Sequence, residues 1–471
     1  MTERLSMRTL AGLAEGVERF GYDRAALTIG VAHLGPGAFH RAHQAWFFDR
    51  LLETDPRWAI SGVAPKSVTI PDALAPQDGL YALAELEAVT RVRVIGAMTE
   101  VLAAPREPAA VLARLAAPTT RWLGLTVTEK GYGLAPSGDL DAGNPDVAAD
   151  LAGRGRGTPL SAVGWVVAGL AARRAAGHPP FVVASCDNLP ANGRKLRHAV
   201  LQMAAARDAD LAAWIEGEVR FPSSMVDSIT PATDDALKTL VENRLGLVDA
   251  APVQREGFVQ WVLEDDLGPE APDLGAVGVT LTSDVEAYEA AKLRLLNGAH
   301  SSLAYLGLAH GFETVAEAAA DPALGAFIRD LMIIDIAPAV RAPKGMDVGG
   351  YIEAILKRFA NPAIRHRLIQ IAMDGSQKLP IRLLATTQAA LDAGRPVSRL
   401  GQAVAGWMAF VARQTAAGRT LQDPLASRLA ATVRAEGALA LLNLREVFPA
   451  RLAEDVRFRV AVTEGLTALG G

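Results

Sequence analysis

The first half of the chain carries short, continuous apolar segments that are separated by helical patterns. The apolar segments cover residues 27–32, 58–63, 122–127 and 181–185. Two of the helical patterns between them cover residues 109–115 and 162–176. A continuous apolar run of this length is typical of a strand that is buried on both faces. Since strands that alternate with helices form parallel sheets, we predict an α/β fold with an N-terminal Rossmann-type, doubly wound sheet.

From about Asp284 onward, the apolar residues follow helical spacing instead. The predicted helices cover residues 285–303, 324–333, 348–358, 364–374, 381–393, 398–416 and 425–442. Turn residues such as Asn, Pro and Gly separate them. We therefore predict a mostly α-helical C-terminal domain. The Gly- and Pro-containing stretch 267–278 suggests a boundary that gives domains of 1–280 and 281–471.

The composition narrows the possible classes of protein. The 471 residues are 50% hydrophobic and 21% charged, with a formal net charge of −5, which excludes wholesale disorder and favours no nucleic-acid partner. The single cysteine, Cys186, excludes an internal disulfide framework and leaves too few thiolates for a structural zinc site. Neither a signal peptide nor a membrane span is evident, so we expect a cytoplasmic enzyme without a bound metal.

A glycine-containing turn follows the first predicted strand. Gly35 and Gly37 have the G-x-G spacing that permits a tight turn and a close approach of the backbone to a pyrophosphate. A helix predicted over residues 41–52 would direct its first N–H groups towards that phosphate. The third glycine of the usual dinucleotide fingerprint is absent, so a tight turn that binds nothing remains the alternative.

The second predicted strand lacks the acid that commonly binds the adenosine ribose. Its end carries Lys66 and Ser67, which either accept a 2′-phosphate or face solvent. The residues themselves therefore leave the choice between NAD and NADP open.

Three polar residues share the predicted helix 285–303. At about 100° per residue, Lys292 and His300 lie about 80° apart, and Asn297 and His300 lie about 60° apart. A lysine whose pKa falls from about 10.4 on burial is a possible proton donor and acceptor. An asparagine and a histidine supply donors to a carbonyl oxygen. The alternative is a solvated polar face without chemistry.

Several segments in one order identify a family resemblance. They are 35–44, 126–132, 185–190, 225–227 and 260–265, followed by the K-x4-N-x2-H pattern at Lys292, Asn297 and His300. Together they resemble the mannitol dehydrogenase family of polyol-specific long-chain dehydrogenases, over nearly the whole chain. The resemblance implies a nicotinamide cofactor, NAD with NADP as the alternative, on a Rossmann-type N-terminal domain. It also implies a substrate between that domain and the helical one, and no zinc.

The resemblance also implies roles for individual residues. Lys292 would be the acid–base, Asn188 and Asn297 would polarise the substrate carbonyl, and His300 would bind the substrate. Asp227 and Lys378 would line the substrate site. The residues that we predict to bind the cofactor are Gly35, Gly37, Phe39, His40, Arg41, Lys66 and Glu129.

Two segments, 72–81 and 365–380, resemble the fructuronate reductase branch of the family. The second contains Arg365, Arg367 and Lys378, and arginine binds carboxylates such as that of a sugar acid. We therefore predict interconversion of D-fructuronate and D-mannonate, with Arg367 among the substrate-binding residues. The alternatives are a neutral polyol, as in mannitol or arabinitol dehydrogenases, and a non-catalytic nucleotide-binding sensor. The complete set of Lys292 and its polar partners argues against the sensor.

Overall fold

A computed structural model describes residues 3–153 and 158–470 of the chain. The chain divides into two compact units. The first ends at Glu286, and the second begins at Ala287.

The first unit contains the strands. They are β1 (Glu18–Arg19), β2 (Ile29–Leu34), β3 (Ala59–Ala64), β4 (Tyr81–Leu86), β5 (Arg91–Ile95), β6 (Met98–Ala103), β7 (Trp122–Leu125), β8 (Val182–Ser185), β9 (Ser224–Asp227), β10 (Val253–Glu256), β11 (Gln260–Glu264) and β12 (Thr280–Thr282). Its helices are α1 (Ala38–Ala42), α2 (Gln44–Leu51), α3 (Thr69–Leu74), α4 (Pro108–Ala116), α5 (Pro145–Leu151), α6 (Ala162–Ala175), α7 (Asn192–Ala205), α8 (Ala209–Glu218) and α9 (Asp235–Leu245).

The central sheet of this unit has the strand order β6-β3-β2-β7-β8, and every pairing in it is parallel. The four predicted apolar segments correspond to β2, β3, β7 and β8. Two smaller sheets, β1-β5-β4-β10 and β12-β11-β9, complete the unit. The predicted Rossmann-type α/β fold is confirmed.

Apolar side chains cover both faces of the central sheet. One layer contains Leu115 of α4 and Trp165 of α6. The other contains Phe48, Trp122 and Trp261, whose rings pack with centroids 6.2–6.3 Å apart. Burial on both faces explains why the strands read as continuous apolar runs rather than alternating ones.

The helix predicted over residues 41–52 is wrong at its start. The backbone becomes helical at Ala38, directly after Gly37, and it breaks at His43 between α1 and α2. At His43 the torsion angles are φ −118° and ψ −89°, and the ring hydrogen-bonds the carbonyl of Gln260 at 2.9 Å. This contact with another strand, distant in sequence, favours the break over a continuous helix.

The helices from the boundary onward are α10 (Val285–Ala291), α11 (Asn297–Ala309), α12 (Val315–Ala320), α13 (Pro322–Asp330), α14 (Val348–Phe359), α15 (Leu368–Ile371), α16 (Gly375–Leu379), α17 (Ala385–Asp392), α18 (Ser398–Ala416), α19 (Ala426–Glu436), α20 (Ala450–Ala453) and α21 (Val456–Ala468). The predicted helical C-terminal domain is confirmed, and the predicted helix 398–416 coincides with α18. α18 packs against both α11 and α21, and Trp407 and Leu303 are buried in this core.

Two predicted helices differ from the structure. The segment 364–374 is helical only in α15, because Arg367 pairs with Thr314 as an isolated antiparallel bridge. The segment 425–442 changes at Gly437, whose φ of +84° ends α19 before a 3₁₀ turn over Ala438–Asn443. In the first case distant pairing overrides the local helical pattern, and in the second a left-handed glycine interrupts it.

The predicted helix 285–303 is also interrupted, by a π turn over Lys292–Leu296. Two more π turns cover Leu331–Ile336 and Pro380–Leu384. Pro380 has no N–H, and its ring would clash with the carbonyl four residues earlier in an α-helix, which favours the wider turn there. The turn over Pro380–Leu384 packs against α11 at Gly298, where any added Cβ would lie 2.8 Å from the carbonyl oxygen of Arg382.

None of the helices within residues 3–153 and 158–470 combines the length and hydropathy that a membrane-spanning helix needs.

Two stacked histidines lie beneath the glycine turn. The rings of His33 and His40 have centroids 3.4 Å apart, and Nε2 of His33 lies 2.8 Å from the hydroxyl of Thr126. Burial lowers the pKa of His33 to about 3, and it lowers the pKa of His40 well below the ordinary value. Both rings are therefore neutral at pH 7.

These neutral rings predict a stability that decreases in mild acid. An unfolded histidine takes up a proton near pH 6.5, whereas folded His33 does so only near pH 3. Stability is thus lost as the pH falls from about 6.5 towards 3, and His33 alone accounts for about 2 kcal/mol between pH 7 and pH 5. Urea denaturation of wild type, His33→Gln and the control His178→Gln at both pH values measures this loss. An unchanged pH dependence in His33→Gln contradicts the prediction.

Candidate active site

The glycine turn joins β2 to α1. Gly35 has a φ of +88°, and a Cβ there would lie 2.2 Å from the carbonyl oxygen of Thr126, so the turn requires glycine. Gly37 is the N-cap of α1 and is exposed, and the nearest atom to its hypothetical Cβ is 4.0 Å away. The space before α1 is therefore open, and it is bordered by backbone rather than side chains.

The next predicted cofactor residues differ in exposure. Phe39 is partly exposed and stacks on His43 with ring centroids 5.0 Å apart. His40 is fully buried, and Arg41 is 3% exposed. The Arg41 guanidinium donates to the carbonyl of Pro36 at 3.1 Å and to that of Ala251. The side chains of His40 and Arg41 therefore support the turn from inside the unit.

Lys66 and Glu129 follow the strands on either side of β2. Lys66 comes shortly after β3, is exposed and forms an ion pair with Asp146. Glu129 is exposed in a 3₁₀ turn, Glu129–Tyr132, after β7. Because β3, β2 and β7 are adjacent and parallel, both residues and the glycine turn lie at the carboxyl ends of these strands. The carboxyl ends of the strands are where open α/β sheets bind ligands.

The segment that precedes Asn188 is fixed by a buried network. The carboxylate of Asp187 accepts hydrogen bonds from the backbone N–H groups of Val127 and Thr128, at 3.0 and 2.9 Å, and from the Tyr132 hydroxyl at 2.7 Å. Burial raises the pKa of Asp187, and these hydrogen bonds oppose that rise. Thr128 has a φ of +66° and ψ of 161°, a conformation that β-branched residues rarely adopt. Asp187 thus holds the strained backbone after β7 beside the end of β8.

A second residue, Asn192, connects this segment to β9. Its side-chain amide donates to the carbonyls of Asp187 and Ser224, at 3.1 and 2.9 Å, and its oxygen accepts from the Ser224 N–H at 2.8 Å. Asn188 is exposed beyond β8, and Asp227, which is 5% exposed, ends β9. No role was predicted for Asn192 from the sequence, because the hydrogen bonds of its side chain can be recognised only when the positions of both segments that it joins are known.

In the second unit, the π turn changes the relation between Lys292 and Asn297. The backbone N–H of Asn297 donates to the carbonyl of Lys292, five residues earlier. In a regular α-helix residues five apart lie about 140° apart, whereas here five residues complete about one turn. Lys292, 9% exposed, and the half-buried Asn297 therefore share one face, which regular helical spacing does not predict.

His300 lies on the same helix as Asn297. It is 9% exposed, and its ring stacks on Phe359 and meets the edge of His366, with centroids 5.1 and 5.0 Å apart. Its Nε2 is enclosed without a hydrogen-bond partner among the described residues. Burial, reinforced by nearby cations, lowers the pKa of His300 well below its ordinary value, so the ring is neutral. A neutral imidazole with an unused nitrogen can bind a hydroxyl or carbonyl group.

The two predicted basic substrate residues have different surroundings. The Lys378 ammonium donates to the carbonyl of Met373 at 2.6 Å and lies 4.0 Å from the Asp374 carboxylate. Burial and the charge of Arg382 lower the pKa of Lys378. Arg367 is exposed at the N-cap of α15, on the segment whose predicted helix is wrong.

Arg382 is a residue that the sequence reasoning missed. It lies four residues after Lys378, at the end of the basic segment, and its Nη1 donates to the Ser301 hydroxyl at 2.9 Å. Its charge also acts on His300. The sequence shows Arg382 four residues after another basic residue, Lys378. The contact of Arg382 with α11 could not be predicted from that spacing.

The described part of the chain contains no group of three or more His, Cys, Asp or Glu residues with the geometry for a metal ion.

Comparison with known proteins agrees with this organisation. The chain matches the mannitol dehydrogenase Rossmann domain over residues 29–274 and the mannitol dehydrogenase C-terminal domain over residues 284–469. It is 40% identical to D-mannonate oxidoreductase of Escherichia coli K12 over 470 residues, which cover 97% of this chain and 96% of that protein.

Mannitol 2-dehydrogenases are similar to the same extent. That of Cereibacter sphaeroides is 40% identical over 419 residues, covering 88% of this chain and 87% of that protein. A solved structure of Pseudomonas fluorescens mannitol 2-dehydrogenase, a ternary complex with NAD and D-mannitol, is 37% identical with a TM-score of 0.83. That match covers 99% of this chain and 97% of the other. With both domains matched in sequence and fold, the chain belongs to the mannitol dehydrogenase family and is a dehydrogenase.

Proposed function

We propose that this dehydrogenase interconverts D-fructuronate and D-mannonate with NAD as its cofactor. The observation that carries the choice of substrate is the set of charges around His300. After burial, the influences that lower the pKa of its ring are those of His366 and of three cations, Arg382, Arg358 and Lys378. Such a surrounding favours an anionic sugar acid over a neutral polyol. A relative named for a sugar acid, D-mannonate oxidoreductase, is 40% identical over 97% of this chain, whereas the mannitol 2-dehydrogenase of equal identity matches 88% of it.

The cofactor site that we propose lies around the glycine turn, at the carboxyl ends of β3, β2 and β7. Gly35 forms the turn, Gly37 leaves open space before α1, and both glycines let a pyrophosphate approach the backbone. The buried His40 and Arg41 would hold the turn, while Phe39 and the exposed Lys66 and Glu129 would contact the cofactor. A nicotinamide bound there supplies or accepts a hydride. The ion pair of Lys66 with Asp146 reduces its availability for a 2′-phosphate, which favours NAD over NADP.

The second unit supplies the groups for proton transfer and carbonyl polarisation. We propose that the Lys292 ammonium gives its proton to the substrate oxygen as the keto carbon is reduced and removes it in the reverse reaction. Asn297, on the same face, donates a hydrogen bond to that oxygen. Neutral His300 binds a neighbouring hydroxyl.

In the first unit, Asn188 is proposed as the second donor to the oxygen, and Asp227 as the residue that accepts a hydrogen bond from a substrate hydroxyl. Lys378, whose ammonium is largely used by main-chain carbonyls, would contact the substrate chain. Arg367, exposed on an extended segment, remains a proposed contact to its carboxylate.

The second candidate function is oxidation of a neutral polyol. It is favoured by the similarity to Pseudomonas fluorescens mannitol 2-dehydrogenase, the structure with NAD and D-mannitol. The roles proposed for Lys292 and Asn297 are the same for both substrates, so only the groups that bind the far end of the substrate distinguish them.

The first prediction concerns the glycine turn. Gly37→Val should leave the fold intact, because the Cβ meets no atom closer than 4.0 Å, and should abolish NADH binding, because the side chain fills the space for the pyrophosphate. Fluorescence titration with NADH measures the binding. Gly12→Val, at another exposed glycine with no neighbouring atom within 4 Å, is the control. Unchanged NADH affinity in Gly37→Val would place the cofactor elsewhere.

The second prediction concerns the proton donor. Lys292→Met should lower kcat by about 10²–10⁴-fold and leave NADH affinity nearly unchanged, because general acid–base catalysis contributes an effect of that size. Steady-state kinetics and NADH titration of the same preparation separate the two quantities. The control is Lys357→Met, at an exposed lysine of α14. A loss below about tenfold would exclude Lys292 as the acid–base.

The third prediction tests the substrate. D-Fructuronate and D-fructose differ only in carrying a carboxylate or a CH₂OH group at the far end. NADH oxidation with each should give a kcat/KM for D-fructuronate that is at least about tenfold higher, since a charge-assisted hydrogen bond is worth about 1.5–3 kcal/mol. A higher kcat/KM for D-fructose would establish the neutral-polyol function instead.

A further inference from the structure

Arg382 is a half-buried cation without an anionic partner in the described part of the chain. Among residues 3–153 and 158–470, no carboxylate lies within ion-pair distance of its guanidinium. The contact that the guanidinium makes is the 2.9 Å hydrogen bond from Nη1 to Ser301. A guanidinium has five N–H donors, so most of its capacity is unused by this contact.

The unused donors of Arg382 are also accessible. Arg173 and Arg255 contain guanidinium nitrogens that protein atoms enclose without a hydrogen-bond partner, but Arg382 contains none. The side chain is half-buried, so its remaining N–H groups are not fully enclosed by protein atoms. The Ser301 hydroxyl holds one edge of the planar group, which leaves the remaining donors in a fixed orientation.

A second cation, Lys378, lies near Arg382 and increases the positive charge there. A bound anion would therefore be favourable at this position. Lys378 and Arg382 are four residues apart, and the charge of Arg382 lowers the pKa of Lys378, so the two cations are close enough to repel each other. The Lys378 ammonium is turned towards the carbonyls of Met373 and Ile371, at 2.6 and 3.4 Å. Of the two cations, Arg382 is thus the one with donors available. An anion bound to it would relieve the repulsion.

The spacing of Asn297 and Ser301 along α11 suits a six-carbon acid. Ser301, which holds the guanidinium, lies four residues after Asn297, about one helical turn or 5–6 Å along α11. In D-fructuronate the carboxylate carbon is four bonds from the keto carbon, about 5 Å in an extended chain. A substrate along α11 would therefore place its keto oxygen near Asn297 and its carboxylate near Ser301.

We propose that Arg382, oriented by Ser301, is the residue that binds the substrate carboxylate and selects a sugar acid over a neutral ketose. This inference rests on the proposed function, and it names the residue that determines the specificity. Arg382 would make the main contact to the carboxylate and Arg367 a lesser one, because Arg367 is exposed on a segment that pairs with Thr314.

The test compares D-fructuronate and D-fructose reduction by NADH in wild type, Arg382→Gln and Arg382→Lys. In Arg382→Gln, kcat/KM for D-fructuronate should fall about 10–100-fold, mainly through KM, while kcat/KM for D-fructose stays within about threefold. Arg382→Lys should recover part of the lost activity, since it keeps the charge but not the planar pair of donors. Arg434→Gln, at an exposed arginine of α19, is the control.

Each outcome has a separate meaning. If wild type prefers D-fructuronate and Arg382→Gln keeps that preference, Arg382 does not bind the carboxylate, while the proposed function stands. If wild type prefers D-fructose, the proposed function fails and this inference fails with it. Equal losses for both substrates, with unchanged NADH affinity and melting temperature, would give Arg382 a general positioning role and would overturn the inference.

Should Arg382→Gln fail to fold, Ser301→Ala gives an independent test. The guanidinium keeps its charge in this variant but loses the contact that orients it. KM for D-fructuronate should then rise several-fold, and KM for D-fructose should not change. No difference between the two substrates in this variant would overturn the proposed orientation of Arg382 by Ser301.

Discussion

The hydrogen bond from the Asn297 N–H to the Lys292 carbonyl determines the arrangement of the second unit. It closes a turn of five residues instead of four, and so brings a buried lysine and an amide to the same helix face. Such turns are less favourable than regular helix and persist where packing supports them. The support here comes from the turn over Pro380–Leu384, which reaches the helix at Gly298 because no side chain intervenes. That same approach brings Arg382 to Ser301.

The first unit achieves its geometry differently, through buried polar groups with satisfied hydrogen bonds. Asp187 and Asn192 fasten the ends of β7, β8 and β9 to one another. The stacked rings of His33 and His40 fill the space under the glycine turn without adding charge. If either ring carried a positive charge, the packing of the two rings under the glycine turn would be weaker. At the carboxyl ends of these strands, the side chains of Asp187 and Asn192 thus bond to protein groups of neighbouring segments.

Local pattern was sufficient where burial alone decides the structure. The strands β2, β3, β7 and β8 are apolar on both faces, and α18 has a long buried face, so each was predicted from the chain. Local pattern was insufficient where distant segments compete. The residues around Arg367 have helical spacing but pair with Thr314, and the chain around Lys292 has helical spacing in either kind of turn.

The candidate site was predictable to a similar degree. Lys292, Asn297 and His300 were named as candidates from the motif, but the angles between their side chains were not predicted, because these angles depend on one extra residue in the turn. Arg382 was missed because a lone arginine in sequence carries no sign of its partner. Its significance depends on Ser301, 81 residues away.

The single helical turn between Asn297 and Ser301 has a consequence for the size of the substrate. Its rise is fixed by backbone hydrogen bonds, so the spacing between Asn297, the proposed donor to the carbonyl, and Ser301, the proposed anchor of the guanidinium, does not change. The enzyme would therefore measure chain length as well as charge. A keto acid with one carbon fewer between its two functional groups would satisfy either end of the pocket, but not both at once.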